Sequence, residues 1–211
     1  MIAVTKIALK KELTLLLEQT DWFEIEKLSA EHNFGKFSCG NSKDDSDLDL
    51  FLKEDALLQQ NQKINVTHVV KEKKTNNVIG YVTIMTDKLR VSNKEKKELN
   101  LTEHYSDFPS VKIGRLAVDK NYSGKKIGTA ILQYITGLVL ESAETIGCRF
   151  LIVDSYPKSA GFYEKRGFVV NLVQDQTRIK ILKEQPNGAK EIVNKNMRET
   201  ISLRYDLLNK K

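Results

Sequence analysis

The chain has 211 residues, with 34 Lys plus Arg against 28 Asp plus Glu, and is 40% hydrophobic and 8% aromatic. That is enough to bury one substantial core and too little for two full domains. Eleven Gly and three Pro exclude collagenous and Pro-rich classes, wholesale disorder is excluded by the Ile, Leu and Val that balance the 29% charged residues, and a net charge of +6 permits an anionic partner without demanding one.

The apolar run from Met1 to Leu9 is broken by Lys6 and followed by Lys10 and Lys11, so it falls short of the roughly 18 to 20 residues of a membrane span. No small-residue cleavage site follows it, which argues against a secretory signal. Cys39 and Cys148 lack CxxC spacing and read as structural thiols in a reducing cytoplasm. His32, His68 and His104 are scattered without metal-ligand spacing, so no metal is expected.

Leu9, Leu13, Leu16 and Leu17 predict a helix over 9–18, within an amino-terminal helical extension assigned to residues 1–22. Trp22 to Leu28 alternates like a strand. The polar stretch Ser29 to Asp47 ends in acidic caps before a helix predicted over Leu48 to Gln60, with Leu48, Phe51, Leu52 and Ala56 on one face. Asn65 to Glu72 and Val78 to Thr86 are rich in β-branched residues and flank the turn chemistry of Lys73 to Asn77, a hairpin signal. Lys88 to His104 is highly charged and reads as a flexible loop or a solvated helix.

Val111 to Asp119 is a strand in which Val111 and Ile113 share a face while Leu116 and Val118 fall in the opposite phase. A β-bulge near Gly114 and Arg115 would produce that slip and splay the neighbouring strands. A basic loop, Asn121 to Gly128, then opens a long helix whose apolar face carries Ile127, Ile131, Tyr134, Ile135, Leu138, Val139 and Ile146, with Gly147 as its stop. Phe150 to Val153 is a buried strand, Lys158 to Lys165 a short helix and Phe168 to Val173 another strand. A Lys-rich insertion at about 174–197 contains Pro186-Asn187-Gly188, and the last strand runs roughly from Thr200 to Leu207. The order is α/β with mixed sheet pairing.

The strongest local signal is Leu116-Ala117-Val118-Asp119 running into Ser123-Gly124-Lys125-Lys126-Ile127-Gly128 and the helix. A glycine loop at a helix amino terminus offers unpaired N–H groups and the positive end of the dipole, a site for pyrophosphate. A basic loop that merely caps a helix looks the same in isolation.

From Val111 to Phe168 the chain resembles the GNAT superfamily of acetyl-CoA-dependent N-acetyltransferases. The likeness lies in a bulged strand ending Leu-Ala-Val, a pyrophosphate loop, a long helix, a strand, and Ala160-Gly161-Phe162-Tyr163-Glu164-Lys165-Arg166-Gly167-Phe168. It implies a single acetyltransferase domain over 23–211, a mixed central sheet flanked by helices, and a V-shaped splay between the fourth and fifth strands. Acetyl-CoA would be the cosubstrate. Its pantetheine arm would lie along Leu116, Ala117 and Val118, and its pyrophosphate on Ser123, Gly124, Lys125, Lys126, Ile127 and Gly128. Ser159 is a further cofactor contact by this reading, although it and Ser155, beside Pro157, are equally open to loop capping. Tyr163 would be the general acid that protonates the departing thiolate; its alternative is a core tyrosine.

Two departures stand out. Family loops place Gln or Arg first and Gly fourth, where this chain has Ser123 and Lys126, so only Gly128 fits. Lys126 would either pair with phosphate alongside Lys125 or obstruct the loop. The strand also lacks a carboxylate base, having Ile113, Gly114 and Arg115, which favours an α-amine acceptor over a lysine side chain.

Upstream, Phe37-Ser38-Cys39-Gly40-Asn41, Leu48 to Leu52, Ala56 and Val78-Ile79-Gly80-Tyr81 resemble the GNAT toxins of toxin–antitoxin pairs, which acetylate aminoacyl-tRNA. The expected function is a cytoplasmic N-acetyltransferase acting on a primary amine by direct attack. The alternatives are a toxin acetylating the α-amine of aminoacyl-tRNA, and a non-catalytic acyl-CoA-binding or nucleic-acid-binding protein. The partners this implies are the amine acceptor, tRNA, a small antitoxin and a second copy in a homodimer, with no membrane. Lys94, Lys96, Lys97, Lys180 and Lys183 are the cations expected to meet RNA phosphates.

Overall fold

The structure is a computed structural model and describes residues 21–171 and 200–208. The helix expected over 9–18 and the insertion at 174–197 lie outside these residues. The strands are β1 (Phe23–Lys27), β2 (Val66–Glu72), β3 (Val78–Arg90), β4 (Asp107–Val118), β5 (Phe150–Ser155), β6 (Val169–Val170) and β7 (Ile201–Asp206). They form one mixed sheet in the order β1-β2-β3-β4-β5-β7-β6. The helices are α1 (Lys43–Leu50), α2 (Ala56–Asn61), α3 (Asn93–Glu98), α4 (Ile127–Ile146) and α5 (Pro157–Glu164). The chain divides into two compact units, one of residues 21–86 and 113–147, the other of residues 87–112, 148–171 and 200–208.

In the first unit, β1 and β2 pair antiparallel with Phe23 opposite Glu72, and the hairpin expected from the β-branched runs pairs β2 with β3, Val66 opposite Ile84. Thr67 and Thr83 face each other in that register and share a buried hydroxyl hydrogen bond of 2.9 Å. Leu28, Phe37, Phe51, Leu52, Ala56, Val69, Val78, Tyr81 and Ala117 make the core.

The helix expected from Leu48 begins five residues earlier, at Lys43. The Ser42 hydroxyl accepts the Asp45 N–H, and the Asp45 carboxylate accepts the Ser42 N–H. This capping box satisfies two orphan donors, so polar, acidic residues begin the helix before its apolar face does. One π-helical turn, Phe51–Asp55, then leads into α2.

Helix α4 lies directly on β3 because Gly80 has no side chain. A Cβ there would meet Ala117 O and Ile127 Cγ2 at 3.3 Å and Ile131 Cδ1 at 3.4 Å. Ile127, Ile131, Ile135 and Val139 are buried as the periodicity predicts, Tyr134 and Leu138 only in part, while Ile146 is 65% exposed because the last turn of α4 runs past the core. In β4 the buried residues are Phe108, Ser110, Val111, Ile113 and Ala117, with Leu116 and Val118 half-exposed. From Val111 to Ala117 the buried positions keep one parity where the apolar pattern changes phase: small Ala117 fills the packed position between two larger, partly solvated neighbours.

In the second unit, β7 pairs antiparallel with β5, Phe150 opposite Asp206, and with the two-residue β6. Leu89, Val91, Phe108, Phe150 and Ile152 form its core, with Leu99 and Leu101 against it. The segment 88–104, expected to be a solvated loop or helix, is well anchored. β3 continues through Arg90, Ser92 and Glu95 form a capping box for α3, and Glu95 accepts from buried Arg204 at 2.6 Å. Lys96 is buried and donates to the carbonyls of Glu103 and His104. Charges that look solvated in the sequence are partnered inside the fold.

Candidate functional site

The loop between β4 and α4 is shaped by Asp119. Its buried carboxylate accepts the N–H of Asn121 at 2.8 Å and of Ser38 at 3.1 Å, while its own N–H donates to Ile79 O. A 3-10 turn, Lys120–Tyr122, follows. The chain then passes through two left-handed residues, Gly124 at φ 79° and Lys126 at φ 61°, the second capping α4. Side chains disfavour this region by about 1–2 kcal/mol. Lys126 thus occupies, in glycine-like geometry, the place where the family pattern has glycine.

The consequence is a set of free donors. The N–H groups of Gly124, Lys126, Ile127 and Gly128 have no acceptor among the described residues. They stand at the amino end of a 20-residue helix, where aligned peptide dipoles amount to roughly half a positive charge. Ser123, Gly124, Lys125 and Lys126 are exposed and Gly128 partly so, whereas the Ile127 side chain is 1% exposed and offers the site only its backbone. Leu116 and Val118 are half-exposed on either side of buried Ala117.

Two aromatic side chains adjoin the loop that the motif did not single out. Trp22 and Tyr122 stack with centroids 6.0 Å apart and planes at 13°, and the Lys125 ammonium lies 4.6 Å from the Tyr122 centroid and 5.7 Å from that of Trp22. One hundred residues of sequence separate the two rings, so no local pattern could have paired them. Arg115 is similarly held, with its guanidinium carbon 3.8 Å from the Phe51 centroid.

The second unit holds Tyr163 and Ser159 on α5. Pro157 starts the helix, where its missing N–H costs nothing. Ser159 is half-exposed and donates its N–H to Tyr156 O, while buried Ser155 turns its hydroxyl to the same carbonyl. Tyr163 is 5% exposed, edge-on to Phe162 at 5.1 Å and to Phe168 at 5.4 Å. Its hydroxyl has no hydrogen-bond partner among the described residues, and burial pushes its pKa above the ordinary tyrosine value. The spacing from Tyr163 to Gly167-Phe168 has a physical cause. Gly167 at φ 86° turns the chain back so that Phe168 donates its N–H to Tyr163 O and lays its ring against Tyr163.

Other candidates are structural. Cys39 donates to Asp49 at 2.9 Å, and burial, followed by Asp49, pushes its pKa up to about 12; burial raises that of Cys148 too. His32 lies 3.0 Å from Glu26, and His68, whose pKa burial lowers, lies 3.3 Å from the Tyr134 hydroxyl. Among the described residues no group of three His, Cys, Asp or Glu could hold a metal ion, and no helix is long and apolar enough to cross a membrane.

The Acetyltransferase (GNAT) domain family model matches residues 64–170, just over half of the chain. Among solved structures, a KacT mutant is 22% identical with TM-score 0.66, the match covering 88% of this chain and 95% of that one. AtaT complexed with acetyl-methionyl-tRNAfMet is 22% identical with TM-score 0.66, covering 87% and 94%. A mutant AtaT toxin bound to the C-terminus of the antitoxin AtaR and acetyl-CoA is 21% identical with TM-score 0.61, covering 88% and 93%. At such identities the likeness is one of fold. With the family match spanning the loop, α4 and the Tyr163 motif, the chain belongs to the GNAT acetyltransferase family and is an acyltransferase.

Proposed function

We propose that the protein transfers an acetyl group from acetyl-CoA to a primary amine, and that this amine is the α-amine of an aminoacyl-tRNA. The observation that carries the first part is the set of four N–H groups, at Gly124, Lys126, Ile127 and Gly128, that have no acceptor among the described residues. They fit a diphosphate, which needs several donors and positive charge at one place. The exposed Lys125 and Lys126 add charge to that loop. Leu116, Ala117 and Val118 would hold the pantetheine arm through their backbone, as an added strand is held, and Ser159 would add a contact from α5.

Acetyl-CoA supplies, when bound, a thioester carbonyl open to attack by an amine. Tyr163 keeps its proton on Oη throughout the neutral range, because burial disfavours the phenolate. It is the general acid in this proposal, available to a thiolate leaving group. No carboxylate stands among Ile113, Gly114 and Arg115 to take the proton of the attacking amine. An α-amine near pKa 8 has about two hundredfold more neutral form at pH 7 than a lysine near 10.4, so it manages without that base.

The tRNA acceptor is supported by the AtaT complex with acetyl-methionyl-tRNA, and an antitoxin partner by the AtaT–AtaR complex. Lys94 and Lys97 are exposed and available to phosphates, Lys96 is not, and Lys180 and Lys183 lie outside the described residues. A second copy of the chain and a cytoplasmic setting belong to the same proposal.

Thermal denaturation with acetyl-CoA tests the cosubstrate. A ligand that binds only the native state stabilises it by about 2.7 kcal/mol at a hundredfold excess over Kd. An unshifted midpoint at millimolar acetyl-CoA overturns the proposal.

A further inference from the structure

The Lys125 ammonium meets two aromatic faces and, among the described residues, no carboxylate. That distinction matters chemically. A carboxylate would neutralise the cation and occupy its donors, whereas ring faces attract it and leave its charge and its three N–H bonds uncommitted. Both rings are fixed independently of the lysine. Tyr122 ends the 3-10 turn, its N–H donating to Asp119 O at 2.9 Å. Trp22 immediately precedes β1, its carbonyl accepting the Lys73 N–H at 2.9 Å and its ring edge-on to buried Phe23 at 4.9 Å.

We infer that Trp22 and Tyr122 are positioning residues that hold the Lys125 ammonium, its N–H donors uncommitted, ready for the diphosphate of the cosubstrate. A free lysine side chain on an exposed loop loses rotamer entropy when it closes on phosphate; one already resting on two rings loses less. This rests on reading the 123–128 loop as the diphosphate site. It adds residues that the loop motif omits, and it gives Lys125 a different part from Lys126, whose backbone geometry shapes the loop.

The experiment is calorimetric titration of CoA into the full chain and its variants at two salt concentrations. Trp22→Leu and Tyr122→Leu are each expected to weaken binding about two- to fivefold, the affinity equivalent of one exposed cation–π contact. Both should reduce the salt dependence as Lys125→Met does, and Trp22→Phe should recover most of the loss. In the Lys125→Met background neither ring substitution should cost anything more, since the rings act through the lysine. The chain has a single Trp, so its emission should change when CoA binds the wild type and change less in Lys125→Met.

Ring variants that bind CoA like the wild type, while Lys125→Met binds more weakly, overturn this inference and leave the diphosphate site standing. Ring variants that still lose affinity in the Lys125→Met background overturn it as well, because the rings then touch the ligand themselves. Absence of CoA binding by the wild type overturns the underlying site and the inference with it. Midpoints measured without ligand show whether Trp22→Leu folds, and Tyr122→Leu carries the test if it does not.

Discussion

Of the described turns that pass through the left-handed region, two compare directly, one on Lys126 at φ 61° and the other on Gly167 at φ 86°. The second shapes the Tyr163 motif with the residue that adopts this geometry freely. The first uses a lysine, at a conformational cost of about 1–2 kcal/mol, in a loop with exposed Lys125 and Lys126 and four N–H groups that have no acceptor among the described residues. Their settings are opposite as well: the loop is exposed, and Tyr163 is buried among rings, its hydroxyl without a hydrogen-bond partner among the described residues. Capturing an anion calls for accessible charge, whereas keeping a proton on a phenol is easiest where water is excluded. In the proposed function each turn would serve one of these needs.

The largest expected effect is at the buried end. Tyr163→Phe should lower kcat by roughly 10² to 10⁴, the range for losing a general acid, with acetyl-CoA affinity nearly unchanged. Wild-type turnover in that variant, measured where chemistry limits the rate, would make Tyr163 a packing residue.

The pH dependence sharpens the contrast. Burial raises the Tyr163 pKa above its ordinary value, so the group stays protonated in the folded state while the unfolded chain ionises near pH 10. Its contribution to stability is fully present below about pH 10 and is lost progressively above it. The rate profile should rise as an α-amine deprotonates near pH 8 and show no alkaline fall below about pH 10. An alkaline limb near pH 8 to 9 that disappears in Tyr163→Phe would contradict this.

Gly167→Ala places a Cβ in the disfavoured region and 3.2 Å from Tyr205 Cε2. It should destabilise the fold by about 1–3 kcal/mol and lower kcat by displacing Phe168 from Tyr163. Lys126→Gly has the opposite sign and is smaller. Relief of the left-handed strain, offset by the entropy of an added glycine, should stabilise by about 0.5–1 kcal/mol, read as a rise in the denaturation midpoint. Acetyl-CoA should bind that variant at least as well if Lys126 crowds the loop, and more weakly with a flatter salt dependence if its ammonium meets phosphate.

Much of this fold is legible in the amino-acid sequence because the signals are local. The β2–β3 hairpin, α4 with its Gly147 stop, β5 and α5 follow from periodicity and turn chemistry within a few residues, while Gly167-Phe168 is legible only through the family resemblance. The features that periodicity misses depend on long-range partners. Glu95 and Lys96 look solvated until Arg204 and the carbonyls of Glu103 and His104 are in place. The start of α1 is hidden because Ser42 and Asp45 signal it by capping, ahead of the apolar face. Trp22 joins the loop only through the packing of β1, so nothing near Ser123 to Gly128 announces it.

The most direct measurement is acetyl transfer from labelled acetyl-CoA in parallel reactions with aminoacyl-tRNA, the same tRNA uncharged, and a lysine-containing peptide. Label should enter only the aminoacyl-tRNA, leave it as an N-acetylated amino acid on mild alkaline deacylation, and enter more slowly as salt rises from about 50 to 200 mM, when phosphate contacts weaken. Label in the peptide lysine but not in aminoacyl-tRNA, or turnover indifferent to salt, would contradict the account.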